Sequence, residues 1–226
     1  MTIESDVIGA TPRTRVHRLP EKAVTDRVAL HAVLDAGRVA HVAAVEDSQP
    51  FVVPVAYARR DDQVLFHGST ASRLFRRLAE GQPTCLTVTI LDGLVLARSL
   101  FESSMEYRSA MVLGVARRLA GDDELDALRV ISEHLLPGRW SQARQPSPQE
   151  RKATMVLALD LDEASVKVSA GGPSDAPDDL TDPLLSRLWA GVVPITEVLG
   201  TPVPDEHCPP GTPVPDYVAA WGSHGG

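Results

Sequence analysis

The chain has 226 residues, of which 43% are hydrophobic and 4% aromatic, and a formal net charge of −8 at pH 7. A chain of this length can bury a substantial core as one large domain or two small ones. No apolar run reaches the roughly 18 residues of a membrane-spanning helix, so no membrane partner is expected. The N-terminal residues lack the apolar segment of a signal peptide, which predicts a cytoplasmic protein.

The acidic charge is concentrated near the C-terminus. Residues 171–226 contain eight acidic residues and one basic residue, Arg187, which gives −7, whereas residues 1–170 contain 22 acidic and 21 basic residues, which gives −1. The same tail holds 10 of the 18 prolines. A body with nearly balanced charge offers no basic face of the kind that nucleic-acid binding requires, so no nucleic-acid partner is expected.

Motifs of several common enzyme classes are absent. The chain has two cysteines and seven histidines, and neither set has the spacing of a disulfide framework or a metal site. Glycine-rich nucleotide loops, the H-E-x-x-H zinc motif and the G-x-S-x-G nucleophile motif do not occur. The sequence therefore predicts no metal site and does not support serine–histidine catalysis.

The first half of the chain predicts an arm, two helices and three strands. Residues 1–24 form the arm, because X-Pro pairs disfavour a helix there. Thr25 is the expected N-cap of a first helix that a glycine ends. Polar gaps of hairpin length separate the predicted strands, which are residues 38–46, 50–58 and 63–67. A second helix is expected from Ser69 or Thr70 to Glu80.

The second half predicts further strands and one long helix. Segments 84–91 and 94–100 flank Asp92-Gly93, which predicts a two-residue hairpin because both turn positions require positive φ. A long strand is expected over residues 109–120, and a helix opened by three acidic residues follows it. The remaining predicted strands are residues 154–161, 165–170 and, within the tail, 189–200.

These elements favour a mainly β fold. Six or more strands in hairpins, with helices inserted between some of them, are typical of an antiparallel barrel with α additions. A doubly wound parallel sheet would require regular alternation of strands and helices, which is missing.

Two segments carry chemical information. From Leu65 to Arg73 a strand ends near a glycine, and hydroxyl residues lead into a helix with an arginine in its first turn. These groups together suit a phosphate, although an ordinary capped surface helix explains the same pattern. Pro54 interrupts a predicted strand and cannot donate a ladder hydrogen bond, so that strand must lie at an edge or a bulge. The backbone groups freed there suit a flat ligand, and a protected edge without a ligand is the alternative.

Taken in order, these segments resemble the pyridoxamine 5′-phosphate oxidase-like split-barrel family. The resemblance is strongest to its flavin-nucleotide-binding branch, which includes the Nim-type nitroimidazole-resistance proteins. It implies one FMN-binding split-barrel domain over residues 1–226, with a loop at 171–183 and a proline-rich C-terminal arm at 202–226. The motifs that carry it cover most of the chain: Arg15-Val16-His17-Arg18, GRVAHVAAVEDSQPFVVPVAYA, QVLFHGSTASRLFRRL, CLTVTILDGLVLARS, MEYRSAMVLGVARRL and WAGVVPITEVLGTPVPD.

The resemblance also implies a homodimer with FMN at the subunit interface and a small-molecule substrate. Its implied cofactor residues fall into four groups. They are Val53, Pro54 and Val55 for the flavin edge, His67, Gly68, Ser69 and Thr70 for the ring and ribityl chain, Ser72 and Arg73 for the phosphate, and Ser109 and Trp189 from elsewhere in the dimer. His67 is the candidate catalytic residue.

Several functions stay open at this point. The first is an FMN-dependent oxidoreductase, and a deazaflavin-dependent reductase is an alternative. Another alternative is a flavin- or haem-binding carrier or sensor without turnover, with His67 or His41 as the axial ligand of a haem. Pyridoxamine phosphate oxidases end in an arginine- and histidine-containing segment that grips the substrate. The acidic tail has only Arg187 as a base, which argues against pyridoxamine phosphate as the substrate.

Overall fold

A computed structural model describes residues 7–221 of the chain. The described part contains ten strands, six α-helices and two short 3₁₀ helices at Pro20–Lys22 and Leu185–Arg187. The strands are β1 Ala23–Val24, β2 Val39–Glu46, β3 Gln49–Arg60, β4 Gln63–Ser69, β5 Pro83–Leu96, β6 Ser104–Val115, β7 Arg117–Arg118, β8 Thr154–Asp160, β9 Glu163–Ser169 and β10 Gly191–Pro194. The helices are α1 Arg27–Ala36, α2 Arg73–Ala79, α3 Gly121–Leu135, α4 Pro148–Ala153, α5 Pro177–Thr181 and α6 Asp216–Trp221.

All strand pairs are antiparallel, and the strands follow the order β1-β9-β6-β5-β2-β3-β4-β8-β7, with β10 added to β5. The helices lie at the periphery of this sheet. The structure thus confirms the predicted fold class, a mainly β, antiparallel split barrel with peripheral helices. No helix in the described range is long and apolar enough to cross a membrane.

Successive side chains of β4 point alternately into two hydrophobic cores, one on each face of the strand. Val64 and Phe66 point into the main core inside the barrel. Leu65 points the other way, into a smaller core formed with α3, where Ala127 and Ile131 are buried. This period of two is what a strand covered on both faces requires. It places His67, two residues after Leu65, on the α3 side of the sheet.

Both predicted helix starts in the first half are wrong. The N-cap of α1 is Asp26, whose carboxylate accepts a hydrogen bond from the Val28 N–H at 2.8 Å. Helix α2 begins at Arg73 rather than at Ser69 or Thr70. Ser69 still belongs to β4 because it pairs with β8, and that pairing delays the helix.

The predicted hairpin at Asp92-Gly93 is also wrong. β5 continues through these residues as one bulged strand that pairs with β6 on both sides of the bulge. The carboxylate of Asp92 accepts two hydrogen bonds from Arg108 of β6, at 2.8 and 2.7 Å. The positive-φ pair occurs instead at Asp47 and Ser48, with φ of 49° and 65°, in the β2–β3 turn.

Gly93 is required by a neighbouring strand and not by a turn. A Cβ atom there would lie 2.9 Å from Cγ1 of Val192 and 3.2 Å from the carbonyl oxygen of Val193. Both neighbours belong to β10, which pairs with residues 93–96 of β5. The strand predicted within residues 189–200 is therefore confirmed as β10, although it is shorter.

The acidic tail is fastened to the body at several further points. Two backbone N–H groups, of Gly171 and Gly172, donate to Glu106 at 3.0 Å each. The side chain of Asp175, only 4% exposed, accepts 2.6 Å hydrogen bonds from the backbone and guanidinium of Arg98. The segment predicted as a loop at 171–183 includes α5. The segment predicted as an arm at 202–226 includes α6, and its last residues, 222–226, lie outside the described range.

Replacing Gly93 with alanine tests the close approach of β10. The added methyl group meets Val192 and Val193, so Gly93→Ala should lower the free energy of unfolding by about 1–3 kcal/mol. That loss corresponds to a fall in Tm of a few degrees, measured by thermal unfolding. Gly200→Ala is the matched control because no atom lies within 4 Å of its Cβ position. Equal Tm values for the two variants would contradict this account of β10.

Candidate functional site

Pro54 lies at a free edge of the sheet, as its sequence context predicts. β3 pairs with β2 along its whole first half, where Pro54 faces His41. Its pairing with β4 begins only at Tyr57. The side of β3 that turns away from β2 at Val53–Val55 is therefore not paired with any described strand. The side chains of Val53 and Val55 pack against the main core, which fixes this edge in position.

The end of β4 forms the link between the sheet and α2. Thr70 donates from both its backbone N–H and its hydroxyl to the carbonyl oxygen of Ala153, at 2.9 and 3.2 Å. Ser69 Oγ accepts a hydrogen bond from the Ala71 N–H at 3.1 Å. Gly68 has no room for a side chain, since a Cβ atom would lie 2.3 Å from the ring of Phe75. Packing of α2 on the sheet thus explains the glycine.

Ser72 and Arg73 stand at the start of α2. Ser72 is the N-cap, but its hydroxyl makes no capping hydrogen bond. The guanidinium of Arg73 lies 4.2 Å from the centre of the Phe51 ring, where a cation–π contact holds it. It also pairs with Glu46 at 3.2 Å. Because Phe51 belongs to β3, this contact brings Arg73 beside the same strand that carries the Pro54 edge.

Glu46 is the acidic centre of this region, and sequence reasoning missed it. Its carboxylate accepts hydrogen bonds of 2.9 and 2.7 Å from Arg77 in addition to the pair with Arg73. The hydrogen bond from Arg77 and the nearby charges hold the pKa of Glu46 below its ordinary value. Glu46 ends β2, about thirty residues before α2 in the chain. No local pattern could therefore have paired it with these arginines.

His67 lies in a different place from Arg73. It lines a cavity of about 390 Å³ under α3 together with Leu128, Trp140, Arg144 and Glu150, among others. Its Nδ1 atom is fully buried and has no hydrogen-bond partner among the described residues. Burial lowers the pKa of the imidazole, so the ring is neutral at pH 7. A neutral imidazole without a protein partner can accept a hydrogen bond or bind a metal ion.

Ser109 and Trp189 do not join either cavity within one protomer. Ser109 lies on β6, and its hydroxyl is 3.5 Å from the carbonyl oxygen of Lys167. Trp189 precedes β10 and is 66% exposed. Its ring covers Gly191, where a Cβ atom would lie 3.0 Å away. Both residues are open to a second molecule.

One face of the sheet carries Pro54, Ser109 and several half-exposed apolar side chains. Register places Pro54, His41, Thr87 and Met111 side by side on β3, β2, β5 and β6. We call this surface, which turns away from the main core, the outer sheet face; it also includes Val39, Val45, Val52 and Ser109. Val39, Val45 and Val52 are 49%, 49% and 58% exposed on it.

The sequence profile described as pyridoxamine 5′-phosphate oxidase matches residues 26–168, which is more than half of the chain. The chain belongs to this family. The family predicted from the motifs is therefore confirmed. A search of curated proteins finds no match.

Two solved structures are similar over nearly their whole length. The FAD and haem binding protein from Mycobacterium smegmatis is 40% identical, with a TM-score of 0.83, covering 88% of this chain and 96% of that one. The flavocytochrome Anf3 from Azotobacter vinelandii is 38% identical, with a TM-score of 0.87, covering 94% and 97%. A putative 5-nitroimidazole antibiotic resistance protein from Bacteroides thetaiotaomicron shares the fold, at 19% identity, a TM-score of 0.55 and coverage of 65% and 86%.

The buried state of His67 predicts a pH dependence of stability. Its folded pKa lies below the unfolded value of about 6.5, so the unfolded chain binds the proton more readily. The free energy of unfolding should therefore fall as pH drops below about 6.5, by at most about 1.4 kcal/mol per pH unit for one proton. His67→Gln should remove this part of the slope in urea unfolding at a series of pH values.

A His67→Gln slope identical to that of the wild type would show that the imidazole is not buried in the neutral form.

Proposed function

We propose that this protein binds a flavin nucleotide and uses it in an oxidoreductase reaction with a small molecule. The observation that carries the proposal is the position of Ser72 and Arg73. The Ser72 hydroxyl makes no capping hydrogen bond, and the Arg73 guanidinium, although paired with Glu46, is 57% exposed. Both residues follow β4 and lie near the unpaired edge at Pro54. One protomer therefore offers neighbouring sites for a phosphate and for a flat heterocycle. The related Mycobacterium smegmatis protein is described as binding FAD.

Each group has a defined part in this proposal. The hydroxyl of Ser72 and the guanidinium of Arg73 hold the phosphate nearest the ribityl chain, the guanidinium by a charge-assisted and potentially bidentate contact. Backbone groups of Val53–Val55 hydrogen-bond the edge of the ring. The flavin supplies the hydride or electron transfer that protein side chains cannot provide. FMN is the simplest flavin that satisfies these contacts, and a deazaflavin with a phosphate would use the same ones.

We further propose that the functional unit is a homodimer joined through the outer sheet face. Val39, Val45 and Val52 are about half exposed there. An apolar surface of this kind on a monomer marks an interaction site. A second protomer on this face would bring Ser109 and Trp189, which are unused in their own protomer, toward the flavin. The two cofactor sites would then lie at the subunit interface.

Replacing Arg73 tests the phosphate contact. Arg73→Ala should weaken FMN binding about 10- to 100-fold, since a charge-assisted hydrogen bond is worth about 1.5–3 kcal/mol. Riboflavin has no phosphate and should bind the variant and the wild type alike. Fluorescence quenching of each flavin measures both affinities.

Arg129→Ala is the matched control for Arg73→Ala. Arg129 lies on α3 and pairs with Asp126 at 2.7 Å, away from the cavity of Arg73, so its loss should leave both affinities unchanged. If Arg73→Ala weakened the binding of FMN and riboflavin equally, the proposal that Arg73 binds the phosphate would be contradicted.

Haem binding is a second candidate function, and the cavity of His67 favours it. The Mycobacterium smegmatis relative is described as binding haem as well as FAD, and the Azotobacter vinelandii relative as a flavocytochrome. In this chain, His67 offers a neutral imidazole with a buried Nδ1 that lacks a protein partner. Leu128 and Trp140 supply apolar surface in the same cavity, and Arg144, which pairs with Glu150 at 2.7 Å, supplies a guanidinium there. If haem binds here, His67 would provide the ligand to the iron, and Leu128 and Trp140 would contact the porphyrin.

Haem titration tests the axial ligand. The wild type should develop a sharp Soret band on addition of haem, and His67→Ala should lose it because the iron then lacks its imidazole ligand. His41→Ala is the comparison variant, since His41 lies on the outer sheet face and not in this cavity. Loss of the band in His41→Ala but not in His67→Ala would assign the ligand to His41 instead.

A further inference from the structure

A cavity of about 440 Å³ lies between the end of α3 and the C-terminal tail. Leu135, Leu136 and Pro137 line it from the α3 side, and Leu199 and Trp221 line it from the tail. The three leucines are partly exposed, so their apolar side chains face the open space. Small-molecule sites are commonly cavities of about 300–1,000 Å³ with mostly apolar walls and a few polar groups. This cavity has the size and the lining of such a site.

Helix α6 is fixed against the body of the protein, so the tail side of the cavity is already in place. The indole N–H of Trp221 donates a hydrogen bond to the carbonyl oxygen of Pro137 at 3.0 Å. The guanidinium of Arg139 donates to the hydroxyl of Tyr217 at 3.0 Å. Gly138 allows α6 to approach closely, since a Cβ atom there would lie 3.1 Å from the Tyr217 side chain. A preformed wall lowers the cost of ordering the protein when a ligand binds.

The cavity also has two polar lining residues, which differ in how firmly they are held. The Nε2 atom of His134 donates to the carbonyl oxygen of Gly37 at 2.7 Å, and its ring packs against Tyr57 with the ring centroids 5.6 Å apart. The imidazole is therefore a fixed part of the wall. The guanidinium of Arg38 pairs with Glu197 at 2.7 Å, but the Glu197 side chain is 84% exposed. Because exposed ion pairs contribute little to stability, a ligand carboxylate can replace Glu197 on Arg38 at a small cost.

We propose that this cavity binds a small apolar molecule with one carboxylate, such as a medium-chain aliphatic acid. The hydrocarbon part packs against the leucines and Trp221. The carboxylate binds Arg38, whose planar guanidinium matches it in a two-point contact. No acidic residue of the described range lines the cavity itself. Neither Arg73 nor His67 lines it, so the site is separate from the flavin and haem sites proposed above.

Calorimetric titration of the full chain with octanoate and with 1-octanol tests the proposal. The wild type should bind octanoate at least about fivefold more tightly than the neutral alcohol, because only the carboxylate forms a charge-assisted contact with Arg38. Arg38→Gln should lower the octanoate affinity to the level of octanol and leave the octanol affinity within about twofold. Arg118→Gln is the matched control, since Arg118 is an exposed arginine on β7 that lines a different cavity, and it should change neither affinity.

A negative charge in the tail wall tests the location of the site. Leu199→Glu should weaken octanoate binding at least about tenfold, since it removes apolar contact and places a like charge beside the ligand. Val203→Glu adds the same charge at an exposed position of the same tail that does not line the cavity, and it should leave the affinity unchanged. A wild type that does not bind octanoate, equal affinities for octanoate and octanol, or equal effects of the two glutamate variants overturns the proposal. None of these results bears on FMN binding, which the Arg73→Ala titration tests separately.

Discussion

The long strand β5 is the constraint on which the rest of the structure depends. It pairs with β6 along its length, and its other edge is shared between β2, at residues 85–87, and β10, at residues 93–96. The bulge at Asp92, secured by Arg108, lets one strand serve all three neighbours. The same strand therefore carries the centre of the outer sheet face and anchors the acidic tail. If the chain formed a hairpin at Asp92, β5 could not pair with β2 and β10 as one continuous strand.

Much of the fold follows from the sequence because its signals are local. Alternating apolar residues predict the strands, and acidic residues predict the start of α3. The errors arose where a distant partner overrides a local preference. Asp92-Gly93 favours a turn by itself, but Arg108 and β10 hold it in a strand. Ser69 favours a helix start, but pairing with β8 keeps it extended.

The residues of the candidate site were likewise only partly predictable from the sequence. The family resemblance and the edge rule for proline pointed to Pro54, Ser72 and Arg73. Neither could identify Glu46 or Phe51, which contact Arg73 only because β2 and β3 fold back beside α2. The orphaned Nδ1 of His67 depends on burial under α3, and burial is a property of the packed molecule. Sequence patterns identify side chains that could bind a ligand, whereas packing decides which of them already have partners within the protein.

We propose that this protein holds a flavin nucleotide at the end of β4. The most direct measurement is the absorbance spectrum of the protein as purified, followed by mass spectrometry of the compound it releases on denaturation. We expect flavin absorbance bands and a released flavin nucleotide, or stoichiometric uptake when the flavin is added. A colourless protein that releases no flavin and takes up none on titration would contradict it.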